Sequence, residues 1–152
     1  MNKTFIAVIM VLVFATAAIA GIVSYKQPKS MNDYIQVTNT SAAALGKGAP
    51  VVFEASEVVT NGVLGINGAD ATTAVVIGVL TETLEVGAVG NAITTGIGEV
   101  LCDEAVDAGD NIGTTTTAGE ADDNNTNAQS MFGTALEGSS ARGLVDCFIH
   151  CK

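Results

Sequence analysis

Apolar and polar positions alternate at the end of the chain, in LVDCFIHC (residues 144–151). Leu144, Asp146, Phe148 and His150 fall on one side, and Val145, Cys147, Ile149 and Cys151 on the other. A period of two is the mark of a strand with two different faces. From Ala42 onward no stretch keeps apolar residues at helical spacing for three turns. What recurs is a short β-type run, a Gly or Asn, and another short run. The pattern predicts strands in APVVFEA (49–55), TAVVIGVL (73–80), NAITTGIGEVLC (91–102), NIGTTT (111–116) and LVDCFIHC. TAVVIGVL is continuously apolar, as expected of a strand buried on both faces. Asn61-Gly62 and Asn67-Gly68 read as tight hairpin turns, because type I′ turns need positive φ at both central residues. The polar stretch 116–130, TTAGEADDNNTNAQS, reads as an exposed loop.

The two halves look alike. LGKGAPVVF, followed by VIGVLTETLEVGAVGNAI, is echoed by VDAGDNIGT, followed by MFGTALEGSSARGLVDCFI. On this alignment Gly48 matches Gly109, Gly78 matches Gly133, Glu82 matches Glu137 and Gly90 matches Gly143. The repeat predicts two similar β units in one small domain. The fold class that follows is all-β: a small β-barrel or sandwich with an internal two-fold repeat. A hydrophobic N-terminal helix and a short arm precede it.

The front of the chain differs. After Lys3, an uncharged apolar run extends from Phe5 to Val23, and Ala18-Ile19-Ala20 precedes Gly21 as in a leader-cleavage site. At ~1.5 Å per residue its helix would be about 28 Å long, near the ~30 Å of a bilayer core. Residues 1–20 are therefore a leader cleaved at about Ala20 or an anchor, with a membrane within reach of residues 5–23. The run lacks the early acidic residue of type IV pilins. Residues 21–41 read as linker or arm, with DYIQVTN (33–39) as a first strand or an adapter that adds to a neighbour. Residues 42–152 form the β domain.

The passages IGVLTETLEVGAVGNAITTGIGEVLC, DAGDNIGTT and FGTALEGSSARGLVDCFIH resemble the capsid decoration proteins of tailed bacteriophages. The likeness covers residues 42–152 and lies in glycine and hydrophobic spacing. It implies a structural accessory protein that binds the outside of a symmetric capsid, with the major capsid protein lattice as partner, often as a homotrimer. The virion surface would be its location. The alternative is a secreted or membrane-anchored subunit of a surface layer or filament, exported by the leader.

Composition narrows the chemistry. Six Lys+Arg against sixteen Asp+Glu give a net charge of -10, which disfavours nucleic acid as a partner. It suits a basic protein surface. The single histidine, His150, sits beside Cys151, and adjacent strand residues point to opposite faces. No catalytic, cofactor-binding or metal residue is assigned, no cofactor is expected, and the chain is not expected to be an enzyme. Asp103, Glu104, Asp107 and Asp110 could offer oxygen ligands but match no calcium loop. Ala108-Gly109-Asp110 reads as a turn feeding a strand. A zinc site from Cys147, His150 and Cys151 would need both faces of one strand to converge. Cys147 and Cys151 lie about 13 Å apart on an extended strand, too far for a disulfide. Cys102 could bond to one of them across neighbouring strands. GAVGNAITTGIG (87–98) lacks the ending of a phosphate loop. NTS (39–41) and NNT (124–126) are formal glycosylation sequons.

Overall fold

A computed structural model of the chain describes residues 32–54, 63–70, 75–123 and 130–151. Among these the secondary structure is nine strands: β1 (Asp33–Asn39), β2 (Pro50–Phe53), β3 (Leu64–Gly68), β4 (Gly78–Leu80), β5 (Val89–Cys102), β6 (Asn111–Thr114), β7 (Ala121–Asp123), β8 (Met131–Ala135) and β9 (Gly143–His150). No helix among the described residues is long and apolar enough to cross a membrane. The N-terminal helix, the Asn61-Gly62 turn and the NNT sequon lie outside the described residues.

The hydrogen-bonded order β1-β3-β2-β4-β5-β7-β6-β8-β9, with the added pairings β1–β5 and β5–β9, closes two rings of five strands. β5 belongs to both. Its first half pairs with β1 and β4, and its second half with β9 and β7. Closure pairs every strand edge within each ring, which removes the exposed edge that invites other chains.

The rings are copies of one another. Pro50↔Val79 recurs as Asn111↔Thr134, and Phe53↔Ile66 as Thr114↔Ala121. Leu80↔Ala92 recurs as Ala135↔Cys147, and Thr38↔Val89 as Leu101↔Leu144. The isolated bridge Leu45↔Leu84 returns as Val106↔Ser139. The Gly48/Gly109, Gly78/Gly133 and Glu82/Glu137 matches hold. The Gly90/Gly143 match does not: Thr81 N donates to Asn91 O where Leu136 N donates to Asp146 O, so Gly90 aligns with Val145. Volume explains the exchange. A methyl on Gly90 would lie 2.4 Å from Leu84 Cδ2. The Leu84–Gly90 pair thus fills the space that Ser139–Val145 fills in the second ring.

Each ring has its own core. Val37, Leu45, Ala49, Val51, Ile66, Leu80, Leu84 and Ala92 fill the first. The second is filled by Val100, Cys102, Val106, Ile112, Ala121, Phe132, Ala135, Val145, Cys147 and Ile149. Ala69, Val76, Val79 and Ile93, from the outer side of the first barrel, belong to the second cluster, with Val52 packed against it. The wall of the first barrel therefore closes one end of the second. This is why GVL (78–80) is buried on both faces.

Four expectations change. DYIQVTN takes the first of its two readings: it is the first strand, hydrogen-bonded between β3 and β5, so the barrel begins before residue 42 and the stretch is no free arm. Of the described residues of TAVVIGVL, 75–80, the last three are strand, and Val75 is exposed. The 116–130 stretch contains β7, whose Ala121 is fully buried. Asn67-Gly68 lies inside β3 opposite Val52 and Val51. Gly68 serves close approach: its Cβ would meet Gly119 N at 2.9 Å.

Candidate functional site

The stretch 106–115 is a turn feeding β6. Asp110 N donates to Asp107 O (3.1 Å), Asp107 N donates to Asp110 Oδ2 (2.8 Å), and Gly109 takes φ 98°. The Asp110 carboxylate is held by this turn, to which Asp107 contributes its backbone groups. Asp103 and Glu104 instead meet Asp122 of β7, with ligand oxygens within 4.8 Å of one another. The sequence hid this because Asp122 lies in the stretch read as loop. Asp103 Oδ2 accepts from Thr115 Oγ1 (2.9 Å), and Asp103 Oδ1 is buried without a hydrogen-bond partner. Desolvation, followed by the hydrogen bond with Glu104, raises the Asp122 carboxyl above its ordinary value. Burial, then Asp122, does the same to Asp123. By the repeat, Asp103, Glu104 and Asp122 stand where the first barrel has Thr40, Ser41 and Asn67. Three carboxylates suit a hard cation but fall short of the roughly six oxygens that calcium takes.

The thiols are structural. Cys102, Cys147 and Cys151 are all free, so the cross-strand disulfide does not form. Burial pushes each thiol up to about 12. A low-pKa thiolate is what a reactive cysteine needs. Cys147 points into the second core while His150 is exposed and stacks on Phe148 with centroids 6.2 Å apart. The zinc triad and a Cys–His pair are therefore not assembled. In the sequon NTS, Asn39 is fully buried and donates to Ala43 O (2.9 Å) and Leu84 O (3.0 Å), leaving no amide to glycosylate. The glycine-rich passage forms the β4–β5 turn and β5 itself, with no phosphate cradle.

The outer face of β5 and β9 carries cross-strand pairs Ile97↔Phe148 and Leu101↔Leu144, with Glu99↔Asp146 between them. Lys47, from the β1–β2 connection, bridges to Glu99 and relieves the like-charge pairing there. Arg142 grips Glu120, which is nearly buried, through Nε to both carboxylate oxygens (3.2 Å each). Exposed apolar side chains recur on this surface: Ile97, Leu144 and Phe148. Such a surface is suited to contact with protein.

The fold thus defines a class: a small tandem β-barrel whose two five-stranded rings share one strand. Among solved structures, it is similar to the head fiber gp8.5 N base of bacteriophage phi29, with a TM-score of 0.59 and 16% sequence identity. The match covers 78% of this chain and 94% of that one. At this identity the likeness is one of fold. No protein-family model and no curated protein matches the sequence.

Proposed function

We propose that the protein is a virion structural protein of a tailed phage, bound to the outside of the capsid as a decoration protein. The observation that carries this reading is the likeness of fold to a phage head fiber base, which covers 94% of that chain. The sequence resemblance to decoration proteins, made on glycine spacing, points the same way. The role is non-enzymatic: the three thiols are pushed up to about 12, and the single histidine, His150, is exposed and stacks on Phe148 away from the buried Cys147. The partner is the major capsid protein lattice, and the acidic surface complements a basic outer patch on the shell. Several copies, with a trimer as the expected assembly, add avidity to shallow contacts.

The test is peptide mass spectrometry of density-purified particles beside the cell-envelope fraction, followed by re-binding of the purified protein to stripped heads. Recovery in particles and saturable re-binding support decoration. Recovery only in the envelope or medium, with a chain beginning near Gly21, overturns it in favour of an exported surface subunit.

A further inference from the structure

The junction between the two barrels has two sides, and each side is present a second time without a partner among the described residues. On one side is the wall of the first barrel, made by Val52, Val76, Val79 and Ile93. It is sealed: Val79 is 0% exposed and Ile93 6%. On the other side is the end of the second barrel, where Phe132 and Ile149 are buried against that wall. Even the glycine is used, since a methyl on Gly98 would lie 2.5 Å from Ile93 Cδ1 and 3.1 Å from Ile149 Cδ1.

The repeat assigns each side its duplicate. The register that equates Val79↔Ile93 with Thr134↔Phe148 makes β6, β8 and β9 the second wall, with Met131 in the place of Val76. Here Phe148 is 40% exposed, and Met131 and Thr134 are half-buried. The end of the first barrel corresponds to the sealed end of the second. It is where β1, β3 and β4 start and where β2 finishes. Ile77 stands there for Phe132, Ile35 for Gly98 and Phe53 for Thr114. Phe53 is 48% exposed, and Ile35, Leu64 and Ile77 are half-buried. The turns agree. Gly48 is seated with its would-be Cβ 2.8 Å from Leu101 N, and its O accepts from that same N. The equivalent turn glycine, Gly109, has nothing within 4 Å of its would-be Cβ.

We infer that this end of the first barrel, with Phe53 exposed, docks on the second-barrel wall around Phe148 of another copy of this chain, repeating the internal junction between molecules. Such an interface is heterologous, because two different surfaces meet. It closes into a ring if the rotation allows and runs on as a filament otherwise. The occupant is a second copy because the molecule itself carries both halves of a contact whose internal version is apolar; with Ile35 in place of Gly98 and Phe148 in place of Ile93, the second version repeats the surfaces that meet and not the depth at which they seat. The inference stands on the internal junction and is independent of the lattice the protein joins.

Sedimentation equilibrium of the full chain tests it, in a mild detergent that keeps the 5–23 run dispersed. The wild type is expected to associate below about 100 µM. Phe53→Glu and Phe148→Glu are each expected to raise the dissociation constant at least tenfold, and Val86→Glu, on an exposed turn, to leave it unchanged. An equimolar mixture of the two Phe variants keeps one intact end and one intact wall, so it should form a one-to-one complex and stop there. A monomeric wild type, unweakened single variants, or a mixture no tighter than either variant alone would overturn the proposal. Circular dichroism checks folding, and Phe53→Ser with Phe148→Ser repeat the mixing experiment if the charged variants do not fold.

Discussion

Asn39 holds in the first barrel the position that Cys102 holds in the second. Both are fully buried, and each pairs in parallel with the next strand of its ring, at Ile66 and Ala121. The chemistry differs. Asn39 Nδ2 donates to two carbonyls, and its Oδ1 accepts from Ser41 N (3.0 Å) and Ser41 Oγ (2.6 Å). Cys102 has burial instead of a network. Asn39→Ala strands these buried groups and is expected to cost about 2–4 kcal/mol, whereas Cys102→Ala removes one small apolar group for about 1 kcal/mol. Urea unfolding of both variants measures the difference. Equal costs would show that the Asn39 network adds nothing to stability beyond the burial of its side chain.

Gly96 and Gly109 separate backbone strain from crowding. Both have positive φ, 128° and 98°. Around Gly109 a methyl meets nothing, while at Gly96 it would lie 2.7 Å from Asn32 Cα. Gly109→Ala should cost about 1 kcal/mol from backbone conformation alone. Gly96→Ala adds a backbone clash and should cost roughly 2–4 kcal/mol. Thermal melts would show the two melting temperatures in that order.

The acidic corner sets a pH dependence. The Asp122 carboxyl is raised in the folded state, so the folded chain holds that proton more tightly than the unfolded chain does. Its contribution therefore favours folding at low pH and is lost as pH rises through the carboxylate range. Asp122→Asn keeps the shape without the charge. It is expected to raise the melting temperature by a few degrees at pH 7 and to leave it unchanged near pH 3. A lower melting temperature at pH 7 would mean that the ionised carboxylate is stabilising, as it is when a cation is bound.

With their thiols pushed up to about 12, Cys102 and Cys147 should resist alkylation at pH 8. At that pH only about one thiol in ten thousand is ionised. Labelling with iodoacetamide should run at least a hundredfold slower than in guanidinium. Cys151, the least covered of the three, should react first. Rapid native labelling of Cys102 would contradict the closed second core.

The strands with strict alternation were legible: β9 keeps Val145, Cys147 and Ile149 inward just as the period of two requires. The glycine repeat was legible too, since turns such as Gly48 and Gly109 need positive φ in both halves. What the sequence concealed was compensation. Gly90 looked equivalent to Gly143 because glycine is conspicuous, whereas the space beside it is shared with Leu84. β7 escaped because one buried Ala121 among acids leaves no periodicity to detect. Asn67-Gly68 misled because the glycine answers to a neighbouring backbone and not to a turn. Of the acidic corner, Asp103 and Glu104 were visible, but their partner Asp122 is brought in by long-range pairing that spacing does not encode.

The sharing of β5 has a consequence for synthesis. The first barrel has all its strands once the residues up to about Thr95 have emerged, so it can close while the ribosome is still working. The rest of β5 then projects from a finished barrel with the backbone groups that face β9 unpaired until β9 arrives, while Gly48 O already holds Leu101 N. At about 5–20 residues per second that wait lasts several seconds. During it, the first barrel is a template for the second, and on a crowded polysome it is equally a template for the β9 of a neighbouring nascent chain.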